Sequence, residues 1–147
     1  DLTTLSEFLG PTNGYVEQVY FYELLGDSSG ESKVMLRNEA GDLGTSMSFS
    51  LEQMPCFSLW KNTASLNNGY VTGLEPGSNF PNPKRFEREN GRVVLLEPLA
   101  SRKFELSLEV HLGSEAVSEV EKEIIHLQGS TSPEILEFAP KNLSAAT

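Results

Sequence analysis

The run SRKFELSLEVHLGSEAVSEVEKEIIHLQ, residues 101–128, holds the change of hydrophobic period that decides the fold. In its first half Phe104, Leu106, Leu108, Val110 and Leu112 alternate with Lys103, Glu105, Ser107, Glu109 and His111. A period of two puts successive side chains on opposite faces of a strand. From Ser114 the period becomes helical, with Val117, Val120, Ile124 and Leu127 on one stripe and Glu119, Lys122 and Glu123 opposite. Gly113 and Ser114 offer a stop for the strand and an N-cap for the helix, and Gly129 offers a C-terminal stop.

No other stretch has this helical pattern. Upstream, YVEQVYFYELL (15–25) is rich in β-branched and aromatic residues and lies between Asn13-Gly14 and the turn-forming GDSSG that starts at Gly26. ESKVMLRNE (31–39) follows, then LGTSMSFSLEQ (43–53), where Met47, Phe49 and Leu51 alternate with Ser46, Ser48 and Ser50. The small polar face is expected to meet solvent or a neighbour. CFSLWKN (56–62) and GYVTGLE (69–75) read as two further strands, the second stopping at Pro76-Gly77. RVVLLEPL (92–99) reads as another, and EILEFA after Pro133 as a short last one. Residues 76–91, with three prolines and two glycines, read as a long connecting loop and hence a candidate site. Short strands separated by turn chemistry, without crossover helices, predict an all-β, mainly antiparallel β-sandwich with one C-terminal helix.

At 147 residues the chain is the size of one domain, and 38% hydrophobic with 22% charged residues is a globular composition. Eleven basic against twenty-one acidic side chains give a formal charge of -10. That charge repels phosphate backbones and anionic lipid, which argues against nucleic acid and membranes as partners. The lone Cys56 allows no internal disulfide, and no close spacing of His, Asp and Cys suggests a metal site, so no metal or cofactor is expected. With neither a basic n-region nor an apolar h-region at the start, a cytoplasmic location is the expectation.

GYVTGLEPGSNFPNP (69–83), followed by RVVLLEPLASRKFELSLEVHL from Arg92, resembles the C-terminal region of galactose mutarotases and their aldose 1-epimerase-like relatives. The resemblance rests on Leu74-Glu75-Pro76 with its Pro- and Asn-bearing loop and on Leu95-Leu96-Glu97-Pro98 leading into the long alternating strand. It covers about positions 15–113, and MPCFSLWKN adds a likeness to the edge of the sugar cleft. It implies that residues 1–147 form one domain, the C-terminal part of a larger β-supersandwich that binds sugars. It also implies that Glu75 is the general base. Such a base takes the proton of the anomeric hydroxyl while an acid protonates the ring oxygen, opening the pyranose so that it can reclose as the other anomer. In the family the acid is a histidine well upstream of the glutamate. Here the two histidines, His111 and His126, both follow Glu75. The chain alone is therefore expected to be inactive unless an N-terminal half supplies the acid.

Each candidate also has a plainer reading. Glu75 could bond loop amides. Trp60 could stack on a sugar's C–H face or pack in the core. Lys61, Asn62 and Asn79 could bond hydroxyls or shape turns. Lys84, Arg85, Arg88 and Arg92 form a basic cluster suited to a phosphosugar or sugar acid, but Glu87 and Glu89 lie among them, as in a salt-bridged loop. Both histidines read as surface residues, and Cys56 reads as buried packing. The expected ligand is a sugar or sugar phosphate, with association through sheet edges or with the N-terminal half as further routes to a partner. A carbohydrate-binding module without catalysis and a structural or assembly sandwich domain are the alternative functions.

Overall fold

The computed structural model describes residues 2–145. Within them lie six strands: β1 (Gln18–Tyr22), β2 (Glu31–Arg37), β3 (Leu43–Ser50), β4 (Cys56–Asn62), β5 (Val71–Gly77) and β6 (Leu106–Leu112). Two α-helices accompany them, α1 (Lys84–Glu89) and α2 (Ser114–Gln128). The strands form two three-stranded sheets, ordered β1-β4-β5 and β2-β3-β6, and every strand pair is antiparallel. The chain divides into two compact units. One comprises residues 1–23, 56–94 and 135–147, and the other residues 24–55 and 95–134.

In the first unit, β4 is the central strand and carries the core. Phe57, Leu59 and Lys61 point to one face and are buried, with Tyr20 of β1 opposite Leu59. Tyr22 meets Phe57 edge to face at 5.8 Å. Cys56, Ser58, Trp60 and Asn62 take the other face. β5 is an edge strand and runs on through Pro76 and Gly77 rather than stopping before them. An edge position tolerates proline because one side of the strand needs no ladder donor.

In the second unit, α2 packs on β2, β3 and β6. Lys33–Glu123 and Arg37–Glu121 ion pairs fix the sheet face it covers. That is the small polar face of β3: Gly44 and Ser46 are buried, and Val117 and Val120 of the helix are 1% and 5% exposed. Small side chains on the sheet let a helix approach closely, so the neighbour anticipated for this face is α2. His111 belongs to the same face and its Nε2 lies 2.8 Å from Ser46 Oγ, which makes it half-buried rather than a surface residue.

Four expectations are corrected. Residues 92–99 form no strand, nor does EILEFA at 134–139. The stretch 76–91 is not all loop but contains α1, whose six residues are too few for a periodic pattern to show. Finally, Gly113, not Ser114, is the residue before the first helical one.

Candidate functional site

Register across the first sheet places Glu75 and Trp60 in adjacent rows on the face of β4 that carries Cys56 and Ser58. Phe21, Ser58 and Glu75 form one row and Val19, Trp60 and Gly73 the next. Adjacent strands lie about 4.8 Å apart, so side chains within a row are neighbours. Glu75 is exposed, whereas Ser58 beside it is buried. The Glu75 side chain folds back along its own strand over Gly73: a methyl group at Gly73 would collide with Oε1 and sit 3.1 Å from Cδ and Cγ. Gly73 in turn pairs with Trp60, so the carboxylate lies over the position next to Trp60 in the neighbouring strand. Trp60 is half-buried, and its Nε1 donates a hydrogen bond to Glu17 Oε2 at 2.9 Å, which fixes the ring edge. Asn62 continues the face, its Oδ1 accepting from the Ala64 amide at 3.3 Å.

The segment after β5 folds back over the same face. Phe80 is buried and stacks on Phe21 with centroids 4.7 Å apart and planes 22° from parallel. Behind it lies a buried ion pair. Glu87, 1% exposed, accepts from Arg92 Nε (2.6 Å) and Nη2 (2.7 Å), from Asn82 Nδ2 (2.7 Å) and from the Phe80 amide (3.2 Å). The bonds from Arg92 hold the Glu87 carboxyl below the ordinary carboxylate value, and the same bonds raise Arg92. Arg92 also lies over the rings of Phe80 and Phe86, at 5.5 and 5.8 Å. Cys56 is buried on this face, and burial pushes its thiol up.

The remaining candidates sit elsewhere. Lys61 points to the core face, away from Trp60, Asn62 and Glu75, with 1% of its surface exposed. Its ammonium donates to the carbonyls of Thr4 and Glu7 and lies 4.5 Å from the Phe8 ring centroid. Burial lowers its pKa. Asn79, in the turn after β5, donates from Nδ2 to the Phe80 carbonyl and accepts from Ser78 Oγ, as a turn former does. Arg85 is exposed on α1 and pairs with Glu89 at 2.8 Å. Of the basic cluster, Arg85 thus belongs to a surface i,i+4 pair and Arg92 to the pair with buried Glu87. An open hollow of about 550 Å3 by the start of α2 is lined by Leu112, Gly113, Ser114, Glu115, Ala116 and Glu119, none of them a candidate.

Gly73 and Glu17 are the site residues that sequence reading missed. For Gly73 a signal existed: it precedes Glu75 by two residues, the spacing that puts a bare backbone beside a carboxylate on one strand face. Glu17 had no local signal, because its tie to Trp60 crosses 43 residues.

Two antiparallel three-stranded sheets with one long helix make this an all-β chain with the aldose 1-epimerase-like sandwich fold. A solved structure from Klebsiella pneumoniae, described as a "putative aldose 1-epimerase", superposes with a TM-score of 0.85 at 37% identity over 89% of this chain. The match covers 34% of that protein, so the chain spans about a third of its length. The chain belongs to the family described as "Domain of unknown function (DUF4432)", which matches residues 1–110. No curated protein matches it. No helix among the described residues is long and apolar enough to cross a membrane.

Proposed function

We propose that this chain supplies the general-base wall of a sugar site in an aldose 1-epimerase-like protein, with Glu75 as the base. The observation that carries the reading is the Glu75 carboxylate folded over Gly73, whose partner in the neighbouring strand is Trp60. An indole face suits the C–H side of a pyranose, and a carboxylate beside it can accept the anomeric hydroxyl's proton. Glu17, by holding the indole N–H, keeps the ring in place. Asn62, two residues along β4 on the same face, is the nearest further hydroxyl-binding group. Among the six candidates, Lys61, Asn79 and Arg85 are engaged in other bonds and have no part in this arrangement.

Ring opening needs an acid on the ring oxygen as well as a base. With no histidine ahead of Glu75, the chain by itself binds sugar without accelerating anomer exchange. The test is an NMR titration with a panel of hexoses and hexose phosphates, following both chemical shifts and anomer ratios. Shifts confined to Trp60, Gly73 and Glu75, lost in Trp60→Ala and accompanied by background exchange, are the expected result. No shift with any sugar would leave the fold without the function. Restored exchange when the chain is joined to the rest of an epimerase-like protein, abolished by Glu75→Gln, would establish the base.

A further inference from the structure

The C-terminal segment of the first unit is held by Asn82. This side chain, half-buried in the loop ahead of α1, donates from Nδ2 to the Leu143 carbonyl at 2.9 Å and accepts the Ala145 amide on Oδ1 at 2.9 Å. One donated and one accepted main-chain bond are what a strand gives its neighbour, so the grip is blind to the side chains of residues 143–145. A turn in which the Leu143 amide donates to the Pro140 carbonyl at 2.8 Å presents these groups. The stretch before the turn buries little: Ile135, Leu136 and Phe138 are 56%, 50% and 81% exposed. A segment with so much apolar side chain left in water opens locally at low cost.

The same amide group also reaches inward. Nδ2 donates to Glu87 Oε1 at 2.7 Å, which uses its second hydrogen. Glu87 Oε2 accepts the Phe80 amide at 3.2 Å, and the Asn82 amide itself donates to the Phe80 carbonyl at 2.8 Å. Phe80, 3% exposed, stacks on Phe21 in the row that ends in Glu75. Hydrogen bonds therefore run without a gap from Leu143 through Asn82 and Glu87 to Phe80. When the segment leaves, the Asn82 amide has two bonds to replace, and a rotation that finds them draws Nδ2 away from the buried Glu87 carboxylate.

We infer that Asn82 is a positioning residue: its amide couples the docking of residues 143–145 to the seat of Phe80, so that a ligand held at Glu75 and Trp60 and a docked C-terminal segment favour one another. The statement about a ligand rests on the sugar reading above, whereas the coupling to Phe80 does not. Linkage makes the effect mutual: the segment strengthens ligand binding by the factor with which the ligand strengthens docking.

Ala145→Pro tests this at an exposed position, because it removes the amide that Oδ1 accepts and leaves Asn82 in place. Ala145→Ser keeps that amide and serves as the control. Without sugar, hydrogen exchange of the Phe80 amide should quicken about five-fold or more in Ala145→Pro and in Asn82→Ala, and stay unchanged in Ala145→Ser. An unchanged Phe80 amide in Ala145→Pro would overturn the inference, whether or not Asn82→Ala folds. In NMR titrations with D-galactose and D-glucose, each of the two variants should bind about five-fold more weakly, and the double variant no more weakly than Asn82→Ala alone, since both break one coupling. Losses that multiply in the double variant would mark two independent defects and would overturn the link to the ligand. If neither sugar moves the parent protein's spectrum, the sugar reading fails by itself, and the Phe80 exchange still decides the role of Asn82.

Discussion

The Glu75 carboxylate rests where a Cβ at position 73 would stand, so the glycine shapes the proposed site although it bears no functional group. Gly73→Ala should change stability by less than about 1 kcal/mol, because the backbone there is not in the left-handed region and the colliding atoms are the end of a mobile side chain. It should nevertheless swing the carboxylate away from Trp60 and weaken sugar binding, read by the same NMR titration. Glu87 shows the opposite case, a carboxylate fixed from all sides. Arg92→Met leaves it buried without its cation and should cost about 3 kcal/mol or more in a denaturant titration. Because the folded-state pKa of Glu87 lies below the ordinary value of 4.5, its ionised form stabilises the fold above that pH. That contribution is lost as pH falls through the lowered value. The melting temperature of Glu87→Gln should therefore fall less steeply than that of the parent protein below about pH 4.5.

At the scale of elements, α2, β3 and β6 were legible by their periods, and β2, β4 and β5 by the turn residues that bound them: the helix stripe at Val117 and Val120 and the strand at 106–112 are both in the structure. β1 was legible by its aromatics, although only the middle of the run 15–25 forms the strand. RVVLLEPL misled because a run of β-branched and leucine residues between turn signals reads as a strand whether or not a partner strand exists. There Arg92 is held by Glu87 and Leu95 stays 80% exposed. Lys61 misled for a related reason. Period two places it opposite its neighbours Trp60 and Asn62, but its being buried depends on residues 4–8, more than fifty positions away. The helix depends on few contacts. Val117→Ala removes two methyl groups from a side chain that is 1% exposed and should destabilise the protein by about 2 kcal/mol, measurable by thermal melts, and Ile125→Ala on the exposed side should cost almost nothing.

For the molecule as a whole, charge and apolar surface act against each other. The excess of acidic side chains keeps copies apart, while the β6 face would draw them together. Light scattering should therefore rise as carboxylates protonate below about pH 5, and also in high salt at neutral pH, where screening shortens to a few Å. Leu108→Lys should suppress both rises. A variant that changed neither would show that some other surface governs solubility.

The ammonium of Lys61 turns the first ten residues into something more than a leading strand of polypeptide. Its two acceptors are main-chain carbonyls of Thr4 and Glu7, which no side-chain substitution can remove but a single cut can. A protease cut that released the segment before Gly10 would strand a cation inside the first sheet's interior. Damage in that segment would then spread inward, to the strand that also carries Trp60.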